Sequence, residues 1–482
     1  MSKGLEVGKT MSLSLNNRLA LRLRPFGPAA GVIPGRNGRV ARFLMSLGAT
    51  HYYDPSARLT NGQLMPNLIQ LGADPAQLGS TPEPDSNDPV WLRPLPEASV
   101  WFPGTSSNSV NNKGFPGPND LERVEITVDL PSGVDSINGS NDGLAQFTVS
   151  EYGSVGIGVV LEGFLVRARS TPASANDFSP VVPLPDGAGW ADVRGARLTY
   201  HVGDKRSVLE VLIAGGAWQE MVDFTHDPMP STISGDSVIV SAGRTSTWSA
   251  PSTSFRLGGV DYDFGGGYTA VFDPADLDGW SISRSATGLK TAIVPAGRGV
   301  LVTDGVDDFV QLPADGIPPV SATAGHFTML LAMRNHAKQS AGQVLWDSRS
   351  TSASGIFLDC SSGGTSLRSA AFGAGGNSAY SALSGAIADD YTQPIVVGVR
   401  VSNGDLEVVG WSASAGLGKG TTVDISGVGA MPMLPPRIAS QSYNTTRNWN
   451  SELLGYASGP VALSDAEIVA ASKALLNGEI TL

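Results

Sequence analysis

The chain has 482 residues, a formal net charge of −12, 41% hydrophobic residues and 16% charged residues. This composition is globular, and the length exceeds one ordinary core, so two or three domains are expected. The acidic balance argues against nucleic-acid binding by the whole chain. The 59 glycines and 32 prolines separate short apolar runs, which favours a mainly β protein. Because Cys360 is the single cysteine, no intrachain disulfide can form, as expected for assembly in a reducing cytoplasm.

The N-terminal segment is basic, unlike the rest of the chain. Residues 1–43 contain eight lysines and arginines and one acid, Glu6. This pattern predicts an arm that docks on an acidic partner, with a solvated tail as the alternative. Apolar spacing from Gly38 to Gly48 predicts one short helix. The arginines assigned to docking are Arg18, Arg22, Arg24, Arg36, Arg39 and Arg42.

No export or membrane segment is expected. Polar and basic residues interrupt the apolar stretch Leu13–Leu23, so it does not resemble a signal peptide. No stretch approaches the ~20 apolar residues of a membrane span.

One short phrase occurs twice. Residues 51–55 read His-Tyr-Tyr-Asp-Pro and residues 270–274 read Ala-Val-Phe-Asp-Pro, each with a glycine turn and a β-patterned block after it. The repetition predicts one module used twice, each copy preceded by its own leader, against a chance match of turn phrases. The predicted domains are a basic docking arm with a short helix at 1–50, an extended leader at 51–98, a first sandwich at 99–264, a linker and leader at 265–298, and a second sandwich at 299–482.

Local signals place several elements. Val124–Leu130 alternates between apolar and polar residues, which predicts a half-buried strand. Asn403-Gly404 predicts a two-residue hairpin, and Gly215-Gly216 predicts another. Ser464-Asp465-Ala466-Glu467 is a capping box, which predicts a C-terminal helix ending at Asn477-Gly478.

Four segments of the second block occur in a distinctive order: Asp304–Pro313, Phe327–Met329, Ser458–Pro460 and Leu463–Ile468. In this order and spacing they resemble the concanavalin A-like (laminin-G-like) jelly rolls, which implies that fold for residues 299–482. The first block fits less clearly, through Trp101–Gly104 and Gly216–Glu220, and lacks the Asp-Gly-x-Asp-Asp phrase. The expected fold is therefore mainly β, with two tandem jelly-roll sandwiches, the short N-terminal docking segment and the C-terminal helix.

The N-terminal part contains a series of short segments: Gly31–Arg36, Arg39–Leu44, Leu47–Pro55, Asn61-Gly62, Pro66-Asn67, Leu78–Thr81 and Asn87–Pro89. In this order they are similar to the start of minor tail proteins from tailed phages of actinobacteria. This resemblance implies a virion component, mounted by its N-terminal region, that displays β-sandwiches outward. Other phage structural proteins also carry such sandwiches, so a virion location is implied more firmly than a tail location.

The sequence offers little catalytic chemistry, and no cofactor is expected. Asp304, Asp307 and Asp308 cluster in sequence, where a solvated turn is the main interpretation and a calcium loop the alternative. No strand carries the paired carboxylates of a glycan-cleaving enzyme. Aromatic rings stack on sugar C–H faces, so the predicted glycan or partner contacts are Trp346, Trp411, Tyr443, Asn444 and Trp449, with core packing or an ordered loop as the alternative.

The first hypothesis is a structural virion protein, a minor tail protein that contributes to adhesion to host-surface glycan and is not an enzyme. Its partners are other tail or capsid proteins and host-envelope glycan, with a symmetric homo-oligomer on the particle. The alternatives are an architectural capsid decoration or tail-stabilising protein without ligand and, more weakly, a glycan-cleaving enzyme.

Overall fold

A computed structural model provides the structure of the protein. It describes residues 35–57, 59, 63–70, 75–81, 88–104, 109–115, 120–137, 142–149, 153–170, 176–227, 229, 231–232, 238–243, 253–283, 289–314, 325–335, 342–350, 354–361, 366–373, 376–377, 380–384, 393–429, 431, 433–442 and 448–480.

The chain forms two compact units. One unit, called the split unit here, combines Met1–Val90 with Gly305–Leu482. The other, called the continuous unit, is Trp91–Asp304. The intervals 1–50, 51–98, 99–264, 265–298 and 299–482 stay predictions as domain boundaries.

The described strands of the continuous unit form three antiparallel sheets. Sheet C has the order β15-β14-β13-β7-β18-β19, sheet D the order β12-β11-β10-β9-β16-β6-β20, and sheet E the order β21-β5-β17-β8. The strands are β5 (Ser99–Pro103), β6 (Ser109–Phe115), β7 (Arg123–Asp129), β8 (Val134–Ser136), β9 (Asp142–Val149), β10 (Gly153–Val160), β11 (Gly163–Arg169), β12 (Asn176–Phe178), β13 (Val193–His201), β14 (Arg206–Ile213), β15 (Trp218–Thr225), β16 (Val238–Gly243), β17 (Ser254–Leu257), β18 (Gly259–Asp263), β19 (Thr269–Phe272), β20 (Ser281–Ser283) and β21 (Ala292–Val294).

In the split unit, the strands that the structure describes form two antiparallel sheets. Sheet A has the order β32-β31-β30-β24-β35, with β1 paired to β35 and β33 to β31. Sheet B has the order β2-β3-β23-β34-β25-β26-β27-β28, with β29 paired to β27. The strands are β1 (His51–Tyr53), β2 (Leu64–Met65), β3 (Ala76–Leu78), β23 (Val310–Gln311), β24 (His326–Asn335), β25 (Gln343–Arg349), β26 (Gly355–Cys360), β27 (Ser366–Gly373), β28 (Gly376–Asn377), β29 (Ser381–Ser384), β30 (Ile395–Ser402), β31 (Asp405–Ser412), β32 (Gly416–Lys419), β33 (Val423–Asp424), β34 (Met433–Ile438) and β35 (Asn450–Gly459). The remaining strands, next to the unit boundaries, are β4 (Val90–Leu92) and β22 (Val300–Asp304).

Each unit is a sandwich around its own core. In the continuous unit, Phe147 of sheet D and Tyr200 of sheet C lie 6.4 Å apart between ring centroids, within one apolar cluster. In the split unit, Phe327 of sheet A and Trp346 of sheet B lie 6.0 Å apart. Alternation of inward and outward side chains along each strand produces these cores. The predicted fold class, mainly β with two sandwiches, is confirmed.

Within the described residues, the split unit has two α-helices. Helix α1 (Gly35–Ser46) corresponds to the short N-terminal helix predicted from apolar spacing. Helix α2 (Asp465–Asn477) begins as its capping box predicts, because the Ser464 hydroxyl accepts a hydrogen bond from the Glu467 amide. Gly478, with φ of 72°, ends it in the left-handed conformation. Among the described residues, no helix has the length and apolar character needed to cross a membrane.

The two sandwiches share one strand order. In sheet C, the hairpin β13–β14 lies beside β7, then β18, then β19; in sheet A, the hairpin β30–β31 lies beside β24, then β35, then β1. Sheets D and B correspond in the same way, with β9, β10 and β11 in the places of β25, β26 and β27. The duplication suggested by the repeated phrase is therefore visible in the topology.

The strands formed by the two copies of the repeated phrase pair with partners that the sequence did not predict. Strand β19, which contains the second copy, pairs with β18 of the block that precedes it. Strand β1, which contains the first copy, pairs with β35, so Tyr52 lies opposite Ala457 and Tyr53 opposite Tyr456. Each leader thus completes a different sandwich from the one that follows it directly in the sequence.

Candidate functional site

The outward face of sheet B carries an unusual group of aromatic and charged side chains. Trp346 points into the core, so its neighbour Asp347 points outward. The register places Phe357 opposite Asp347 and Arg368 opposite Asp359. These outward residues therefore lie side by side on three adjacent strands.

Tyr380 is the exposed ring of this group. Its side chain is 48% exposed. Phe357 and Phe372 support it edge-on, with ring centroids 5.9 and 6.4 Å away. The Arg368 guanidinium carbon lies 5.3 Å from the Tyr380 ring centroid. We call Phe357, Asp359, Arg368, Phe372 and Tyr380 the Tyr380 cluster.

Arg368 is held in one orientation. Its Nε and Nη2 atoms donate hydrogen bonds of 3.0 and 2.7 Å to the two carboxylate oxygens of buried Asp359. These hydrogen bonds raise the pKa of Arg368. A two-point contact of this kind fixes the plane of the guanidinium, so Arg368 meets Tyr380 in a defined geometry.

A second buried pair supports the same aromatic group. The Arg349 guanidinium carbon lies 4.2 Å from the Phe357 ring centroid. Arg349 donates hydrogen bonds of 2.9 and 2.8 Å to Asp347. Burial raises the pKa of Asp347, while the hydrogen bonds from Arg349 oppose that rise. The pair holds Phe357 in place beneath Tyr380.

Such a cluster can bind a flat, partly apolar ligand. An exposed tyrosine offers a ring face and a hydroxyl, and adjacent polar groups can exchange hydrogen bonds with ligand hydroxyls. The apolar C–H face of a pyranose with its equatorial hydroxyls matches this combination.

The predicted tryptophans lie elsewhere. Trp346 and Trp449 are fully buried, and Trp411 is buried with 6% exposure. None of the three presents a ring face to solvent, and Trp346 instead packs against Phe327 in the core. Tyr443 and Asn444 lie outside the described residues. The role of these five residues in glycan contact stays a prediction.

The three predicted aspartates do come together. One carboxylate oxygen from each of Asp304, Asp307 and Asp308 lies within 4.8 Å of the others. Gly305, with φ of 78°, lets the chain turn between them. Oxygen donors suit calcium, and calcium binding here stays a prediction.

The predicted docking arginines divide into two groups. Arg39 and Arg42 are exposed on α1, whereas Arg36 donates hydrogen bonds of 2.8 Å to Asp54 and 2.9 Å to the Leu475 carbonyl oxygen at the end of α2. Arg36 therefore contributes to packing inside the split unit. Arg18, Arg22 and Arg24 lie outside the described residues.

The continuous unit contains a Ser–His–Asp chain that the sequence did not reveal. His226 Nδ1 lies 3.1 Å from Asp177 Oδ2, and His226 Nε2 lies 3.0 Å from Ser207 Oγ. Serine hydrolases use this connectivity. Here Ser207 and His226 are both fully buried, so the hydroxyl cannot meet a substrate in this conformation. The chain joins β12 of sheet D to β14 of sheet C across the sandwich.

The Tyr380 cluster was missed because its members are far apart in the sequence. Tyr380 itself is a lone aromatic in a Gly/Ser/Ala-rich stretch, residues 373–385. That isolation is a weak signal for an exposed ring. Nothing local indicates that Arg368 and Phe357 lie beside it, because strand register decides this.

Comparison with known proteins gives similarities of structure alone. No protein-family model matches the chain, and no curated protein matches it. The chain is similar to domains LG4–5 of the mouse laminin α1 chain, with 12% identity, a TM-score of 0.29, and coverage of 78% of this chain and 91% of that one.

Two further solved structures are similar over shorter stretches. They are the Ruminococcus gnavus IT-sialidase CBM40 bound to α2,3-sialyllactose (10% identity, TM-score 0.25, 31% of this chain and 84% of that one) and a heptameric SAP-like pentraxin from Limulus polyphemus (9% identity, TM-score 0.26, 40% of this chain and 96% of that one). Identities and TM-scores this low carry no argument about this chain. The sandwich architecture therefore rests on the strand pairing described above.

Proposed function

We propose that this protein is a non-enzymatic carbohydrate-binding protein that uses the Tyr380 cluster to contact glycan. The observation that carries the proposal is the half-exposed Tyr380 ring, held by two phenylalanines and by an arginine that a buried carboxylate fixes. A ring that is already fixed loses little conformational entropy when a sugar stacks on it.

The setting we propose is the phage virion, where the chain serves as a minor tail protein that adheres to the host surface. Support comes from the sequence resemblance of residues 31–89 to minor tail proteins of actinobacterial phages. The exposed arginines Arg39 and Arg42 on α1 supply basic groups for docking on an acidic virion partner. Single glycan contacts are weak, so many copies on one particle would provide avidity.

Binding is tested by co-sedimentation of the full chain with purified actinobacterial cell walls. We expect the wild-type protein to sediment with the walls and Tyr380→Ala to lower the bound fraction at least twofold at sub-saturating protein. Loss of one stacked ring removes about 0.5–1.5 kcal/mol beyond the buried area, which makes a change of this size measurable.

Two control variants separate the ring from other effects. Tyr380→Phe keeps the ring and should retain most binding. Tyr268→Ala removes another exposed tyrosine, 42% exposed and in the continuous unit, and should bind like wild type. Equal binding by wild type and Tyr380→Ala would rule out the Tyr380 cluster as the contact.

The virion setting has its own test. Immunogold electron microscopy with antibody against residues 299–482 should label the tail tip of virions that carry this chain. Label over the head would favour a capsid decoration instead.

A further inference from the structure

The continuous unit repeats the arginine–aromatic contact of the split unit on the equivalent strand. The Arg167 guanidinium carbon lies 5.3 Å from the Phe178 ring centroid, the same distance as for Arg368 and Tyr380. Arg167 is on β11, which occupies in sheet D the place of β27 in sheet B. The two contacts therefore lie on equivalent strands of the duplicated fold.

The surroundings of Phe178 also match. Val166 belongs to the core, so Leu165 and Arg167 point outward. Leu165 forms a small separate apolar cluster with Val160 on that outward face. In the split unit, Phe357, Ala370 and Phe372 form the corresponding small cluster beside Tyr380. An apolar base thus underlies each exposed ring.

The edge of sheet D exposes three apolar side chains. Phe178 is 38% exposed, Val181 44% and Leu161 65%. The bridge between Phe164 and Val182 places Val181 beside Leu165. Contiguous exposed apolar side chains on a folded protein commonly mark a contact site.

The strand that carries Phe178 is fixed on both sides. Arg167 Nη2 donates a 2.7 Å hydrogen bond to the Asn176 side-chain oxygen. Asp177 lies 3.1 Å from buried His226, which in turn contacts Ser207 of sheet C. The ring is therefore presented by a short strand held to its own sheet and to the opposite sheet.

We infer that Arg167, Phe178, Val181 and Leu161 form a second carbohydrate contact, so one chain binds glycan at two places. This inference rests on the proposed glycan-binding function. Phenylalanine has no hydroxyl, and its neighbours are apolar, so the second contact recognises the C–H face of a pyranose by stacking. The Tyr380 cluster adds a ring hydroxyl and therefore discriminates more between ligand hydroxyl patterns.

The experiment compares four full-length proteins: wild type, Phe178→Ala, Tyr380→Ala and the double variant. Each is titrated against purified actinobacterial cell walls by co-sedimentation. We expect each single variant to lower the bound fraction at least twofold at sub-saturating protein, and the double variant to retain less than a tenth. Phe178→Tyr, which keeps the ring, should bind more strongly than Phe178→Ala. The matched control is Val271→Ala, which trims a 56% exposed residue on β19 of the same unit and should bind like wild type.

The outcomes distinguish this inference from the function on which it rests. If Phe178→Ala binds like wild type while Tyr380→Ala does not, the second contact is refuted and the proposed function stands. If wild-type protein does not bind the walls, both are refuted. A loss of binding shared by Phe178→Ala and Phe178→Tyr would show that the strand, not the ring, is responsible, and would also overturn the second contact.

Discussion

The two sandwiches build equivalent sheets by different routes along the chain. In the continuous unit, β19 follows β18 after a short turn, in which the Phe264 amide donates to the Tyr268 carbonyl. In the split unit, the equivalent strand β1 reaches β35 from the other end of the sequence. The same architecture therefore depends on a local hairpin in one unit and on a distant segment in the other.

The outward faces of the equivalent sheets also differ. Strand β7 alternates, so Glu125 and Thr127 face solvent. In strand β24, the corresponding face carries Leu330, which lines a small cavity with Leu44 of α1 and Ala471 of α2. The split unit covers its sheet with helices, while the continuous unit leaves the equivalent sheet to charged and polar side chains. One strand order thus accommodates two different surfaces.

The largest difference between the two units should appear when residues 1–81 are removed, because only the split unit contains strands from this segment. Deleting residues 1–81 should abolish cooperative unfolding of the split unit, because α1, β1, β2 and β3 are lost together. Tyr52, Tyr53 and Met65 are each fully buried, and each buried large apolar side chain contributes about 1.5–3 kcal/mol. Hydrogen exchange followed by mass spectrometry should show lost protection in residues 305–480.

The continuous unit is the internal control for this deletion and should stay protected. Retained cooperative unfolding of residues 305–482 without the segment would contradict the dependence.

The aspartates at the same position of the two copies of the phrase, Asp54 and Asp273, have different surroundings. Asp54 is fully buried and accepts hydrogen bonds from Arg36 at 2.8 Å and from the Tyr52 hydroxyl at 2.7 Å. Asp273 is exposed and accepts from the Ala275 amide at 2.8 Å. Asp54→Ala should lower the free energy of unfolding by about 1.5–3 kcal/mol, because the partly exposed Arg36 and the buried Tyr52 hydroxyl both lose a charged acceptor.

Asp273→Ala is the matched variant and should cost no more than about 1 kcal/mol, as for one exposed turn hydrogen bond. Both values come from urea unfolding. Equal costs would show that the two copies of the phrase have the same role.

A methyl group added at Gly459 tests how closely Gly48 and Ala49 pack on β35. A Cβ at Gly459 would collide with the Gly48 carbonyl oxygen and lie 2.8 Å from Ala49 Cα. Gly459→Ala should therefore cost about 1–3 kcal/mol. Gly427→Ala, in the same unit with nothing within 4 Å of the added Cβ, should be close to neutral in the same thermal unfolding assay.

His226 should make the continuous unit more sensitive to acid. Burial lowers the pKa of His226 below its ordinary value, while Asp177 opposes that shift. The unfolded chain then binds a proton near pH 6.5 that the folded chain does not bind. Stability should be complete above that pH and decrease as the pH falls toward the folded pKa.

Thermal unfolding between pH 5 and 7.5 measures this effect. His226→Gln should lower stability at pH 7.5 and flatten the pH dependence. An unchanged slope in the variant would assign the acid sensitivity to other groups.

Much of the local structure could be predicted from short patterns. Alternation identified β7, the capping box identified the start of α2, and Asn403-Gly404 identified the hairpin between β30 and β31, where both residues have positive φ. Each of these features depends on contacts within a few residues. The candidate site could not be found this way, since Phe357, Arg368 and Tyr380 meet only through sheet register.

The sequence by itself determined that this protein is mainly β and that a capped helix follows its last strand, and the repeated phrase indicated a module used twice. Composition, periodicity and helix capping depend on residues close together in the chain, so the sequence alone indicates them. Only the tertiary structure decided which leader completes which sandwich and which rings remain exposed. Strand pairing joins distant segments according to how well whole surfaces pack. The sequence of residues 51–55 does not by itself indicate that β35 is its partner.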